Sequence, residues 1–320
     1  MEGKKDKGGH MRAAVITEFG EPEKITIVDL PEPVPGPGQV LVKVEASDIT
    51  PGDTLTVDGG FVSASDPDNP YILGWDLAGT VVRSADGASR FSPGDKVIGW
   101  IYRSDEPAEG TQAEYVVIAE GALALAPQNA TPAEASLLPL NGNTAAQGLD
   151  LLDLQPGQTL AVVGAAGIMG GFATEIAKAR GVNVLAIAFE NDREFLTPRC
   201  AEFYATHDKL ADDIRAKHPE GIDALFATAP LNPDISSILK PGGIAVSSVD
   251  FGSLANRDSK VRGLNASPDG EQLAELVRLV DEKAITLRVA QALPLEEASH
   301  AYELASQRGV RGRIVLTNTK

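Results

Sequence analysis

Short apolar runs alternate with Gly- and Pro-rich turns through residues 11–125. Val40-Leu41-Val42-Lys43-Val44, Gly79-Thr80-Val81-Val82-Arg83 and Lys96-Val97-Ile98-Gly99-Trp100 are three such runs, set apart by turns such as Pro35-Gly36-Pro37-Gly38 and Ser92-Pro93-Gly94-Asp95. Short strands at this spacing predict a small, partly closed barrel or sandwich. The rhythm changes at Thr131-Pro132-Ala133-Glu134, which reads as an N-cap followed by Pro at the first helical position. Helical patterning continues from Ala133 to Leu152.

Residues 158–246 alternate strand and helix. The apolar run Leu160–Val163 feeds a glycine turn, Gly164-Ala165-Ala166-Gly167-Ile168-Met169-Gly170, then a helical pattern closed by Gly181 and a second apolar run, Val184–Ala188. Further helices are predicted over Arg193–Cys200 and Leu210–Lys217, with strands at Ala224–Phe226 and Ile244–Ser247. This alternation is the pattern of a doubly wound parallel sheet. An amphipathic helix over 271–283, a strand Leu287–Ala292, a helix Glu296–Ser306 and a strand Arg313–Leu316 complete the pattern.

The stretch Gln158–Phe189 carries the most chemistry. Strand, glycine turn, helix, strand is the unit that holds a dinucleotide pyrophosphate on a helix N-terminus. It predicts a nicotinamide cofactor, and with it hydride transfer.

Composition narrows the partners. The 320 residues suffice for two domains, and a net charge of −17, from 28 basic and 45 acidic residues, argues against nucleic acid or anionic membrane. The single cysteine, Cys200, leaves no intramolecular disulfide and no thiolate-rich metal site, and reads as a passive side chain. Neither a transmembrane run nor a signal-peptide core is visible, so a cytoplasmic protein acting on a small molecule is expected. Residues 1–10, MEGKKDKGGH, read as an expression leader before a natural start at Met11.

Several blocks in order carry a family likeness. They are Pro35-Gly36-Pro37-Gly38-Gln39-Val40-Leu41-Val42, Pro70-Tyr71-Ile72-Leu73-Gly74-Trp75-Asp76-Leu77-Ala78-Gly79, Phe91-Ser92-Pro93-Gly94-Asp95-Lys96-Val97, Gly110-Thr111-Gln112-Ala113-Glu114-Tyr115, Leu239-Lys240-Pro241-Gly242-Gly243 and Arg311-Gly312-Arg313-Ile314-Val315-Leu316. Together they resemble the medium-chain dehydrogenase/reductase superfamily, and within it the zinc-independent quinone oxidoreductase-like branch. The resemblance implies an α/β protein of two domains. A GroES-like β-barrel catalytic domain would span residues 11–130 and 286–320. A Rossmann domain, a doubly wound parallel sheet, would span 131–285, with the active cleft at the junction and a homodimer formed through the cofactor domain.

The same resemblance speaks to metal. Zinc-dependent relatives place a Cys and a His where this chain has Thr50 and Trp75, and neither residue is a strong zinc ligand. No zinc is therefore expected. Hydride would go to an acceptor that needs little electrophilic help, such as a quinone or an α,β-unsaturated carbonyl. Thr50 and Asp53 would lie on the loop facing the nicotinamide, Tyr71 is a candidate proton donor, and Asp76 holds structure. The segment Gly59–Asn69 is a candidate lid.

On the cofactor side, the resemblance assigns the turn residues Gly164, Ala166, Gly167, Ile168 and Met169 to the pyrophosphate. Ile168 replaces a usual Gly and is expected to crowd it. The position of the ribose-binding acid falls on Ala188, followed by Phe189, so the resemblance favours NADPH over NADH. Arg193, His207 and Arg308 would surround the 2′-phosphate. Gly142 and Thr144 would meet the nicotinamide, with Ala229 and Leu264 nearby. The expected activity is NADPH-dependent reduction of a quinone or enone. An enoyl-thioester or biosynthetic tailoring reductase, and a dinucleotide-binding protein without redox activity, stay open as alternatives. Ile168, Phe189, Asn191 and Ala227 motivate the last.

Overall fold

The computed structural model describes residues 9–60, 70–102, 110–230, 234–249, 260–307 and 309–318. In chain order its elements are β1 (His10–Ile16), β2 (Thr26–Pro31), β3 (Gln39–Asp48), α1 (Pro51–Val57), β4 (Tyr71–Ile72), β5 (Asp76–Ser84), β6 (Lys96–Trp100), β7 (Tyr115–Ala119), β8 (Leu123–Leu125), α2 (Pro132–Ala135) and α3 (Pro139–Leu152). There follow β9 (Thr159–Val163), α4 (Ile168–Ala179), β10 (Asn183–Ala188), α5 (Arg193–Leu196), β11 (Glu202–Ala205), α6 (Leu210–Lys217), β12 (Ile222–Ala227), β13 (Leu239–Ser247) and β14 (Lys260–Gly263). The chain continues with α7 (Gly270–Asp281), β15 (Val289–Pro294), α8 (Ala298–Ala305) and β16 (Arg313–Thr317). Two compact units form: Met1–Leu140 with Pro268–Val277 and Leu287–Lys320, and Asn141–Ser267 with Arg278–Thr286.

Strand β3 is the hub of the first unit. One edge pairs β5 along its length; the other pairs β7 through Gln39–Lys43 and β16 through Ala46–Asp48. The sheet runs β15-β16-β3-β5-β6-β8. Register irregularities at Leu41/Val42 and Val44/Ala46 bend it. The alternating positions Val40, Val42 and Val44 then meet Leu77, Val81, Val97, Val116 and Leu123 in one buried cluster. That enclosed interior is what the closely spaced runs of valine and leucine predict. A smaller sheet, β2-β1-β4, starts at His10, which pairs Pro31. Residues 1–8 lie outside the described residues.

The second unit contains one sheet in the order β11-β10-β9-β12-β13-β14, every neighbouring pair parallel. Numbered from β9, this is the doubly wound order 3-2-1-4-5-6. Leu160–Val163 and Val184–Ala188 are buried throughout, as strands covered on both faces must be. Helix α4 stops at Ala179, and Gly181, at φ +78°, turns the chain while its N–H and that of Val182 bond back to the Lys178 and Ala177 carbonyls.

Two predicted helices are shorter than the pattern suggests. The helical stretch expected over 133–152 is broken into α2 and α3 at Ser136-Leu137-Leu138, all fully buried. Pro139 pushes the residue before it out of the helical region. The helix expected over Arg193–Cys200 ends at Leu196.

Candidate functional site

The glycine turn sits where the second unit's strand order reverses. β9 and β12 are neighbours there, and their carboxyl ends, Val163 and Ala227, lead into Gly164 and Thr228. Open α/β sheets bind ligands at such a switch point. Gly164, at φ +80°, has no room for a side chain: an added Cβ would lie 2.7 Å from the Ala229 Cβ and 2.8 Å from the Thr228 Oγ1. One on Gly170 would lie 2.2 Å from the Gly164 carbonyl oxygen. Gly167 is the N-cap of α4, whose first turn carries no acidic side chain. The helix therefore presents the positive end of its dipole to the turn. A bare backbone cradle before a twelve-residue helix fits a pyrophosphate.

Ile168 is 6 % exposed and turns into the core. Ala166 and Met169 are half-buried beside it. Thr228, which no motif in the sequence marks, donates its hydroxyl to the Val163 carbonyl at 2.7 Å and ties β9 to β12 at the switch point.

At the end of β10, Ala188 is buried and Phe189 is 67 % exposed. Arg193 donates twice to the Glu190 carboxylate, at 2.6 and 2.8 Å, and its guanidinium lies 4.5 Å from the centroid of the Phe203 ring. This pairing holds the Glu190 carboxyl below the usual carboxylate range. His207 pairs with Asp213 at 3.1 Å. The remaining phosphate candidate, Arg308, lies outside the described residues, as do 61–69 of the candidate lid.

Gly142 is buried and Thr144 half-buried in α3. The same helix meets the segment holding Leu264: the Gln147 side-chain amide donates to the Ser267 carbonyl at 2.8 Å and accepts from the Ser267 N–H at 3.0 Å. Ala229 is brought to the glycine turn, as its contact with Gly164 shows.

In the first unit, Thr50 and Asp53 form a capping box on α1. Asp53 Oδ2 accepts from the Thr50 N–H at 2.8 Å and its hydroxyl at 2.7 Å, and Oδ1 accepts from the Gly74 N–H at 3.1 Å. Both side chains are buried. Asp53 thus holds the hydroxyl proton of Thr50, which leaves the Thr50 oxygen an acceptor. Thr50 and Trp75 flank Gly52; a Cβ there would lie 3.4 Å from both the Thr50 Oγ1 and the Trp75 Nε1. A hydroxyl already donating to a carboxylate and an indole N–H are not zinc ligands. No group of three or more His, Cys, Asp or Glu with metal-binding geometry occurs among the described residues. Tyr71 is buried in the apolar cluster with Ile16, Leu73 and Tyr302. Burial pushes the Cys200 thiol up, away from reactivity.

Comparison with known proteins gives this geometry a family. The alcohol dehydrogenase GroES-like domain matches residues 36–128, and the zinc-binding dehydrogenase model matches residues 200–316. The chain belongs to the medium-chain dehydrogenase/reductase superfamily. It is an oxidoreductase of that superfamily, with a GroES-like domain and a Rossmann-like parallel-sheet domain. Among relatives, acryloyl-coenzyme A reductase of Metallosphaera sedula is 23% identical, the match covering 96% of this chain and 100% of that protein. The quinone oxidoreductase structure from Coxiella burnetii is 27% identical, with a TM-score of 0.84, over 97% of this chain and 100% of the other. An alcohol dehydrogenase superfamily protein from Novosphingobium aromaticivorans is 29% identical, with a TM-score of 0.84, over 97% and 100% of the two chains. No described helix is long and apolar enough to cross a membrane.

Proposed function

We propose that this superfamily member is a zinc-independent reductase that uses NADPH in preference to NADH to reduce a quinone or an α,β-unsaturated carbonyl. The observation that carries the reading is the turn at the switch point. There Gly164, Gly167 and Gly170 put backbone where side chains would otherwise stand, in front of the positive end of α4. A reduced nicotinamide supplies the hydride. Gly164 and Gly170 let the backbone close on the pyrophosphate, and Thr228 keeps the two strand ends together beneath it.

The donor set around Thr50 supports a conjugated acceptor. Thr50 and Trp75 provide no Lewis acid, and the Thr50 proton is held by Asp53. An acceptor that delocalises the arriving charge over a conjugated system needs the least help of this kind. It gains a hydride at one carbon and a proton from water. Two relatives are named for conjugated acceptors, a quinone and an acryloyl thioester. NADPH is preferred because Ala188 offers no carboxylate to the ribose diol. Its phosphate needs Arg193, which must first leave Glu190. The protein would act as a homodimer in the cytoplasm.

Fluorescence titration with NADPH and NADH, followed by 1,2-naphthoquinone or an enone in the presence of a strong chelator, tests this. Tighter binding of NADPH and chelator-insensitive turnover are the expected results. Binding of neither nucleotide, or turnover abolished by chelation and restored by zinc, overturns it.

A further inference from the structure

The least expected feature of the first unit is a pair of buried aspartates set side by side. Asp48 ends β3 and Asp76 begins β5. Ala46 pairs Ala78 across these antiparallel strands, so two residues further along the register Asp48 falls opposite Asp76. Residues directly opposite project to the same face. Both side chains are fully buried. Among the described residues no N–H or O–H hydrogen-bonds either Asp48 oxygen or the Asp76 Oδ2. The two carboxyl groups lie within hydrogen-bonding reach of each other. Among the described residues one cation pairs with them: Arg313 of β16, whose Nε is 3.5 Å from the Asp48 Oδ2. Asp53 of α1 adds a third negative group nearby.

Two adjacent buried carboxylates cannot both ionise without a large cost. One Arg313 charge offsets one of them. Burial, with the nearby Asp53 charge, pushes Asp48 up to about 7, and burial, with the Asp48 charge, pushes Asp76 well above the usual carboxylate range. The proton belongs to the pair rather than to either residue. Its effect extends beyond the pair, because the Asp76 Oδ1 accepts from the Leu140 N–H at 2.6 Å, at the first turn of α3. That turn leads directly to Gly142 and Thr144.

We propose that Asp48 and Asp76 share one proton, and that Asp48 is thereby a positioning residue for the start of α3. The Gly142–Thr144 part of this inference rests on the dinucleotide reading above. The shared proton joins β3 to β5 and leaves Asp76 in place to hold the Leu140 N–H. Losing it leaves two negative charges side by side, which drives the strand ends apart and loosens that hold.

The sign of the pH dependence follows. A carboxyl raised in the folded state binds its proton more tightly there than in the unfolded chain. Stability therefore falls as pH rises from about 4, the ordinary carboxyl value, to about 7. Asp48→Asn supplies a permanent N–H in place of the shared proton and removes this dependence.

The test uses the full-length protein, its Asp48→Asn variant and its Asp76→Ala variant. Carbon-13 NMR of labelled aspartate reads the protonated carboxyl. Thermal unfolding followed by the fluorescence of Trp75 and Trp100, both in the first unit, reads stability between about pH 5 and pH 8. Hydrogen exchange of residues 139–144 and the NADPH dissociation constant read the helix start. The wild type is expected to show one aspartate titrating near neutral pH. Its unfolding midpoint should drop by about 5 °C across the interval while Asp48→Asn stays level. Exchange at 139–144 and the NADPH dissociation constant should rise severalfold with pH in the wild type only, and Asp76→Ala, which removes the acceptor for the Leu140 N–H, should raise both at every pH. No aspartate titrating above the ordinary range, or parallel profiles for wild type and Asp48→Asn, overturns the proposal. Absence of NADPH binding at every pH would instead overturn the dinucleotide reading, with NMR and exchange still deciding the shared proton.

Discussion

Glu190 grips Arg193 through two hydrogen bonds, at 2.6 and 2.8 Å, at the end of the strand where the cofactor's adenosine ribose is expected. The acid two positions beyond Ala188 therefore serves the protein's own arginine. An NADPH phosphate would compete with Glu190 for that guanidinium, and an exposed pair of this kind yields readily. Glu190→Gln is expected to improve NADPH affinity severalfold and to leave NADH nearly unchanged. Parallel titrations with the two nucleotides check this, and equal effects would remove Arg193 from the phosphate site.

Asp53 is an acceptor for three donors at once. Asp53→Asn would turn an NH2 group toward one or more of the N–H and O–H groups of Thr50 and Gly74. Leaving buried donors unpaired costs about 2–4 kcal/mol. The unfolding midpoint read by Trp75 fluorescence should fall, and turnover with it, whereas Thr50→Ser keeps the capping box and should lose little of either.

Gly170→Ala places a methyl carbon against backbone, since its Cβ would sit 2.2 Å from the Gly164 carbonyl oxygen. The turn must open to admit it, at a cost of about 1–3 kcal/mol. Nucleotide affinity should drop by about tenfold or more. Gly121→Ala, where no atom lies within 4 Å of an added Cβ, is the matched control and should bind as the wild type does.

Glu175 is expected to be the most costly acidic residue to lose from the second unit. Its buried carboxylate accepts from the Thr286 N–H and hydroxyl, both at 2.8 Å, and from the Arg199 Nε at 3.1 Å. Glu175→Ala strands these donors and should destabilise the second unit by about 2–4 kcal/mol. Urea unfolding followed by circular dichroism measures it, because both tryptophans belong to the first unit.

Much of the second unit was legible in the sequence, because its strands are apolar on both faces and its helices carry their own stop signals. Leu210–Lys217 and the Gly181 turn coincide with α6 and the end of α4. The break before α3 was also written, in Pro139, but the apolar pattern of 133–152 runs straight across it. Strand β11 is four half-buried residues, too short to show a period. The Thr50-x-x-Asp53 spacing is a capping-box signature that only the fold raises above a loop. Asp48 carried no signal at all. Its meaning comes from facing Asp76 across a register set by distant strands, and no local pattern encodes that.

The place of β16 in the first sheet governs the order in which this protein can be built. Its neighbour β3 precedes it by most of the chain, and Asn318, just beyond β16, donates to the Val44 carbonyl from 274 residues away. The second unit's strands follow one another from Thr159 to Gly263 and need no such wait. On the ribosome, the dinucleotide fold can therefore close while the β3 edge beside Asp48 is still open. Until β16 arrives with Arg313, the two aspartates face each other without that positive charge.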